Sequence, residues 1–231
     1  MNPTTDLRRA AAELLGTGGL VAVVVGSGIA ASRLSPQDAG LQLLENSLAT
    51  AFGLAVLIAV LQPISGAHFN PVVTLASARV LAPASRRSQA TMIGAQLVGG
   101  LAGTAIALAM FHEPFAISTN MRATAGTVFA EFIATAGLVG LIVVMVRTGR
   151  STWVAPAVGA YIGAAYWFTS STGFTNPAVT VARVFTDTFA GIAPASALWF
   201  VAAEIVGAAA GALGAAWLTK PERSLLAAGE S

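Results

Sequence analysis

Two Asn-Pro pairs, Asn70-Pro71 and Asn176-Pro177, lie one in each half of the chain, and each opens a short apolar stretch. Proline fits the first turn of a helix, where its missing N–H would be unpaired in any case. Four more polar side chains sit inside long apolar segments: Glu13, Gln96, Glu131 and Glu204. A carboxyl buried in an apolar segment is costly and marks a function by default. As a proton-relay pair, Glu13 and Glu131 would suggest a pump. His68 and His112 do not make a metal site, and the chain has no Cys, which removes disulfides and thiolate chemistry. With no nucleophile–base pair, metal cluster or phosphate loop, the residues point to no enzyme, no metal and no cofactor. Gly26-Ser27-Gly28 reads as helix packing.

The elements that must position these residues follow from composition. The chain has 231 residues, 55% hydrophobic and 10% charged. A soluble domain carries about 25% charged residues, so a water-facing surface is excluded. A span needs about 20 apolar residues. Six stretches qualify, at roughly 10–32, 45–63, 88–111, 125–147, 152–170 and 196–219. The first is too long for the core of a signal peptide, and no clear small-residue cleavage site follows it. Two shorter stretches remain, Phe69–Leu81 and Asn176–Phe185, each behind a segment rich in Gly, Ser and Thr. Non-helical backbone at membrane depth is tolerated where it is buried in protein or lines a watery cavity. Both stretches are therefore expected to be re-entrant half-helices.

Lys and Arg accumulate on the cytoplasmic side of a membrane. With the N-terminus inside, Arg8, Arg9, Arg79, Arg86, Arg87, Arg147, Arg150, Lys220 and Arg223 are cytoplasmic, and Arg33, Arg122 and Arg183 are outside. Both termini are then cytoplasmic. The same division explains the pI of about 9.7 without a nucleic-acid partner.

The halves repeat. Residues 12–25, AELLGTGGLVAVVV, match 130–143, AEFIATAGLVGLIV, at half their positions, and 93–107 match 201–215 more loosely. NPVVTLA matches NPAVTVA. Three spans per half is an odd number, so the second half enters the membrane inverted. Inverted repeats place a pathway near the midplane with half-helix N-termini directed at it. Repeat one runs about 8–112 and repeat two about 124–220, with 221–231 a cytoplasmic tail, all within one domain, 1–231. Gly99/Gly103 and Gly207/Gly211 are small-residue pairs that bring helices close.

Through SGAHFNPVVT at 65–74 and TNPAVT at 175–180, the chain resembles the aquaporin (major intrinsic protein) family across nearly its whole length. The resemblance implies an all-α membrane protein of six transmembrane helices plus two re-entrant half-helices. It also implies a homotetramer in the cell (inner) membrane, with water and small neutral solutes as partners. Asn70, Pro71, Val72 and Asn176, Pro177, Ala178 would be the pore asparagines and half-helix caps. Two N-termini meeting head to head place positive dipole ends at mid-membrane, which exclude cations. Val72, in place of the usual Ala, would narrow the pore or shift the half-helix packing. Glu13 and Glu131 would hold the non-helical backbone, a scaffold role preferred to the relay; Gln96 and Glu204 form a third matched pair. His68 would line the inner vestibule or serve as a backbone or capping partner, and His112 would be solvated.

One departure stands out. Water-selective members carry Arg directly after the second motif; Val179 stands there. No His occurs in 152–175. The selectivity filter is expected at Phe52, Ala164, Gly173 and Val179, with Thr50 and Tyr166 the alternatives if loop gaps fall differently. Such a filter is apolar and wider. It suits polyols, urea-like molecules and undissociated metalloid acids better than water alone, and the resemblance implies arsenite or organoarsenicals among them. Arg183, one turn beyond Val179, either supplies a displaced charge at the outer mouth or solvates outside, the second being preferred. The competing readings are a strict water channel, an alternating-access secondary transporter and a closed structural member of the family.

Overall fold

Long apolar segments become helices because helical backbone pairs every interior N–H within the segment, as hydrocarbon demands. The computed structural model describes residues 3–220, with side chains from Asp6 onward; the tail expected at 221–231, with Arg223, lies outside the described residues. The elements are α1 (Pro3–Leu34), α2 (Ala39–Ser65), α3 (Pro71–Val80), α4 (Arg86–Phe111), α5 (Ala125–Arg147), α6 (Val154–Phe168), α7 (Pro177–Ala182) and α8 (Pro194–Leu218). Helices α1, α2, α4, α5 and α8 are long and apolar enough to cross a membrane.

Helix α6, with the 3-10 turn before it, occupies the span expected at roughly 152–170. It has 15 residues, about 22 Å at 1.5 Å per residue, and follows a 3-10 turn at Ser151–Trp153. It stops where Thr169 turns extended (φ −109°, ψ 141°) and the chain folds back into the protein. The two short stretches are half-helices: α3, and α7 continued by a 3-10 turn at Arg183–Phe185. Each begins at its proline and is capped by the asparagine before it.

Close helix crossings hold the bundle together. Helix α1 packs along α4, and α5 along α8. A Cβ on Gly99 would run into the carbonyl oxygen of Leu14, and one on Gly103 into that of Gly18. In the other half, a Cβ on Gly207 would meet the Phe132 carbonyl oxygen and one on Gly211 that of Ala136. Helices α2 and α6 pair across the middle, where a Cβ on Gly159 would lie 2.6 Å from the Ala51 carbonyl oxygen.

Two of these helices turn a four-residue stripe inward. On α2 the buried positions include Asn46, Thr50, Leu54 and Ile58, and on α6 they include Val154, Val158, Ile162 and Tyr166. The intervening large side chains, such as Val56, Val60 and Trp167, face outward.

Gly103→Val and Gly211→Val should each destabilise the protein, by about 1–3 kcal/mol or more because overpacking forces the helices apart. Gly94, with open space around it, should accept Ala with no loss. Thermal unfolding midpoints in detergent check both.

Candidate functional site

The two loops ahead of the half-helices share one backbone course. Ser65-Gly66-Ala67-His68-Phe69-Asn70 and Ser171-Thr172-Gly173-Phe174-Thr175-Asn176 both take positive φ at their second, third and fifth positions. Ala67 (φ 50°), Phe69 (φ 51°), Thr172 (φ 68°) and Thr175 (φ 53°) do so without being glycine, at a cost of order 1–3 kcal/mol each.

Buried carboxylates hold this backbone. Glu13 accepts from the Ser65 hydroxyl (2.6 Å), His68 N (3.0 Å) and Phe69 N (2.7 Å). Glu131 accepts from Phe174 N (2.8 Å) and Thr175 N (2.7 Å). Gln96 Nε2 donates to Glu13 (2.7 Å) and to the Thr74 hydroxyl (2.9 Å). Glu204 accepts from Asn176 N (3.1 Å) and from the Thr180 hydroxyl (2.7 Å). All four side chains are buried.

The half-helices meet at the asparagines. Asn70 Oδ1 accepts from Val72 N, and Asn176 Oδ1 from Ala178 N and Val179 N. Capping aims each amide nitrogen at the other half: Asn70 Nδ2 donates to the Thr175 carbonyl and Asn176 Nδ2 to the Phe69 carbonyl, each at 2.8 Å. An amide nitrogen has two donors, so one per asparagine remains for the cavity both residues line. Pro71 and Pro177 occupy the first helical positions. Ala178 is fully buried, its carbonyl oxygen beside Gly100. Val72 does not narrow the path: it packs with Val139, Val143, Ala208 and Ala212.

That cavity has a volume of about 80 Å³, room for a short file of waters. Apolar side chains such as Val24, Leu54, Ile58 and Val158 form one wall, and the loops with His68, Asn70 and Asn176 form the other. His68 lines the cavity and is also a hydrogen-bond partner: its Nδ1 lies 3.2 Å from the Thr74 hydroxyl. Exposed His112 caps the end of α4. On the face opposite the N-terminus, an open vestibule of about 750 Å³ follows. Tyr166 and Arg183 border both spaces and so mark the constriction between them. The Tyr166 hydroxyl lies 3.0 Å from that of Thr50.

The constriction corrects the expected filter. Phe52 is 68% exposed and Ala164 is exposed; neither lines the cavity. Each stands two residues from a lining residue, Thr50 or Tyr166, and two residues turn a helix by about 200°. Gly173 and Val179 do line the cavity. Gly173 sits at φ 62°, where a Cβ would meet that of Ala165 at 2.7 Å. Arg183 does not solvate outside: it is 5% exposed, its guanidinium carbon 3.5 Å from the centre of the Phe174 ring. The constriction is therefore polar rather than apolar. Sequence reasoning missed Arg122, which also reaches the Phe174 ring (5.7 Å), and the Thr74 and Thr180 hydroxyls. The shared spacing from Ser65 to Asn70 and from Ser171 to Asn176 was the available signal for aligning the loops without gaps. Asp187, on the vestibule rim, accepts from the Thr119 backbone N–H and hydroxyl, which hold its carboxyl below the usual range.

Apolar spanning helices around a narrow water-sized path define a membrane channel for water and small solutes. The family model described as major intrinsic protein matches residues 1–169. The chain is 46% identical over 222 residues to aquaglyceroporin AqpS of Rhizobium meliloti (strain 1021), covering 95% of this chain and 93% of that one. It is 37% identical over 150 residues to aquaporin-7 of Botryotinia fuckeliana (strain B05.10), covering 62% of this chain and 32% of that one. The X-ray structure of the aquaglyceroporin from Plasmodium falciparum has the same fold, with a TM-score of 0.70 at 21% identity over 93% of this chain and 96% of that one. This chain belongs to the major intrinsic protein family.

Gln96 stands in repeat one where Glu204 stands in repeat two, so Glu204→Gln should keep both solute flux and stability. Glu204→Leu should lower stability by about 1–3 kcal/mol for each donor left buried and unpaired, here Asn176 N–H and the Thr180 hydroxyl. Unfolding midpoints and stopped-flow water flux together separate the two variants.

Proposed function

We propose that the chain passively conducts water together with larger uncharged solutes that carry hydroxyl or amide groups: polyols, urea-like molecules and undissociated metalloid acids such as arsenite or organoarsenicals. The observation that carries this reading is the missing arginine at Val179, with Arg183 set one turn outward against Phe174. An aliphatic side chain there removes bulk and charge from the narrow path. Thr50, Tyr166 and Arg183 still offer hydrogen bonds at its entrance. The name aquaglyceroporin on two similar proteins supports a solute range beyond water.

The roles divide among named residues. Thr50, Tyr166, Gly173, Val179 and Arg183 form the filter. Asn70 and Asn176 each present one free N–H to a passing oxygen, which orients it and breaks proton hopping along a water file. The positive ends of α3 and α7 repel cations at the same level. Glu13 and Glu131 act as structural acceptors rather than a proton relay, because their oxygens are engaged by loop donors. That engagement favours a channel over an alternating-access transporter.

The chain forms one domain of two inverted halves, 8–112 and 124–220. Its basic residues favour the inner membrane with both termini cytoplasmic, which makes the vestibule external. A homotetramer is the assembly, and cross-linking of the reconstituted protein tests it.

Stopped-flow light scattering on proteoliposomes should show water flux and glycerol, urea or arsenous acid flux above protein-free vesicles. No flux of any solute would sink the proposal, and saturable gradient-driven uptake would favour a transporter. Val179→Arg should cut flux of the larger solutes severalfold while water flux holds. Unchanged glycerol and arsenous acid flux in that variant would show the filter assignment to be wrong.

A further inference from the structure

The vestibule wall holds two guanidinium groups without a carboxylate partner. Arg122 donates from Nε to the Gly191 carbonyl and from Nη2 to the Phe189 carbonyl, both at 2.6 Å. Arg183 donates from Nε to the Ala190 carbonyl. Three consecutive carbonyls, 189 to 191, thus fix both groups against the Phe174 ring. Arg122 Nη1 and both Nη atoms of Arg183 find no protein acceptor among the described residues, although Arg183 is 5% exposed and lines the cavity.

Carboxylates near the pair are committed elsewhere. The single ion pair among the described residues joins Arg33 to Glu113. Asp187, on the rim, is engaged by Thr119 and the Ser118 hydroxyl. Glu131 binds loop backbone with both oxygens and Glu204 with Oε1, while Glu204 Oε2 is buried without a partner among the described residues and forms no ion pair with Arg183. Buried cations are ordinarily paired, and guanidinium donors match the oxygens of a carboxylate or phosphate. The cavity they face, about 750 Å³, admits a small anion readily. Thr172 adds a hydroxyl to the same wall.

We propose that the vestibule binds a small oxyanion, a carboxylate or hydrogen phosphate, between the Nη groups of Arg122 and Arg183, and that the bound anion obstructs the constriction at Tyr166. The obstruction rests on the channel reading above; the binding does not. Occupancy places a charged group at the mouth of a path for neutral solutes, so external anion is an inhibitor rather than cargo.

Two measurements test this on the full-length protein in phosphatidylcholine vesicles. Phosphorus-31 NMR of inorganic phosphate should show line broadening that acetate reverses by competition and that Arg122→Met weakens. Stopped-flow water conductance in external phosphate or acetate should fall severalfold and saturably, relative to chloride at equal ionic strength and osmolarity. The fall should shrink in Arg122→Met, each protein normalised to its own conductance in chloride. If phosphatidylglycerol alone reproduces the fall, a lipid phosphate occupies the same pair. Absence of broadening in the wild type overturns the site whether or not the chain conducts. Conductance equal in all three anions overturns the obstruction, and inhibition undiminished in folded Arg122→Met overturns the assignment to this pair.

Discussion

The structure depends on satisfying backbone donors where helix is interrupted inside the membrane. Hydrocarbon supplies no acceptor, and each unpaired group there costs several kcal/mol. Glu13 and Glu131 meet that demand by presenting carboxylate oxygens to consecutive N–H groups of the loops. The left-handed residues are held open by the same contacts. With the loops fixed, the half-helices start at a set depth, and their capping asparagines face one another. The path and its constriction follow from that placement.

The lining of the path is asymmetric in two ways. Along the central stretch one wall is aliphatic and the other carries the loops and asparagines, and only near the constriction do Thr50 and Tyr166 add hydroxyls to the helix wall. Across the protein, the vestibule end carries Arg122 and Arg183, and these are fixed by the segment that leads into α8. The Arg183 guanidinium borders the constriction together with Tyr166. Val179, one turn earlier, adds no charge to the lining.

Much of this was legible in the sequence, and the failures have physical causes. Spans, half-helices, caps and the matched acids are written in hydropathy, in Asn-Pro and in the repeat. Of the four residues expected at the filter, Gly173 and Val179 were found on the cavity wall, because the loop and half-helix are anchored to the second motif. Phe52 and Ala164 were not, because a helix position counted across a loop carries the uncertainty of the loop, and a shift of two residues reverses the face. The expected apolar filter failed with them, since Thr50 and Tyr166 are the residues that replace them. Arg183 was read as solvated because its fate depends on the carbonyls of Phe189 to Gly191 and the Phe174 ring, contacts that no local pattern announces. The length of α6 depends likewise on where the re-entrant loop takes over.

The crossed amides have a consequence for how the chain is made. Each asparagine completes its hydrogen bonding with a carbonyl from the other half, Asn70 with Thr175 and Asn176 with Phe69. When the ribosome has delivered only the first half, Asn70 has no such carbonyl, and the Phe69 carbonyl has no such donor. The first re-entrant loop then has its Glu13 contacts but lacks this one across the midplane. These two hydrogen bonds are therefore made only once both halves are in place.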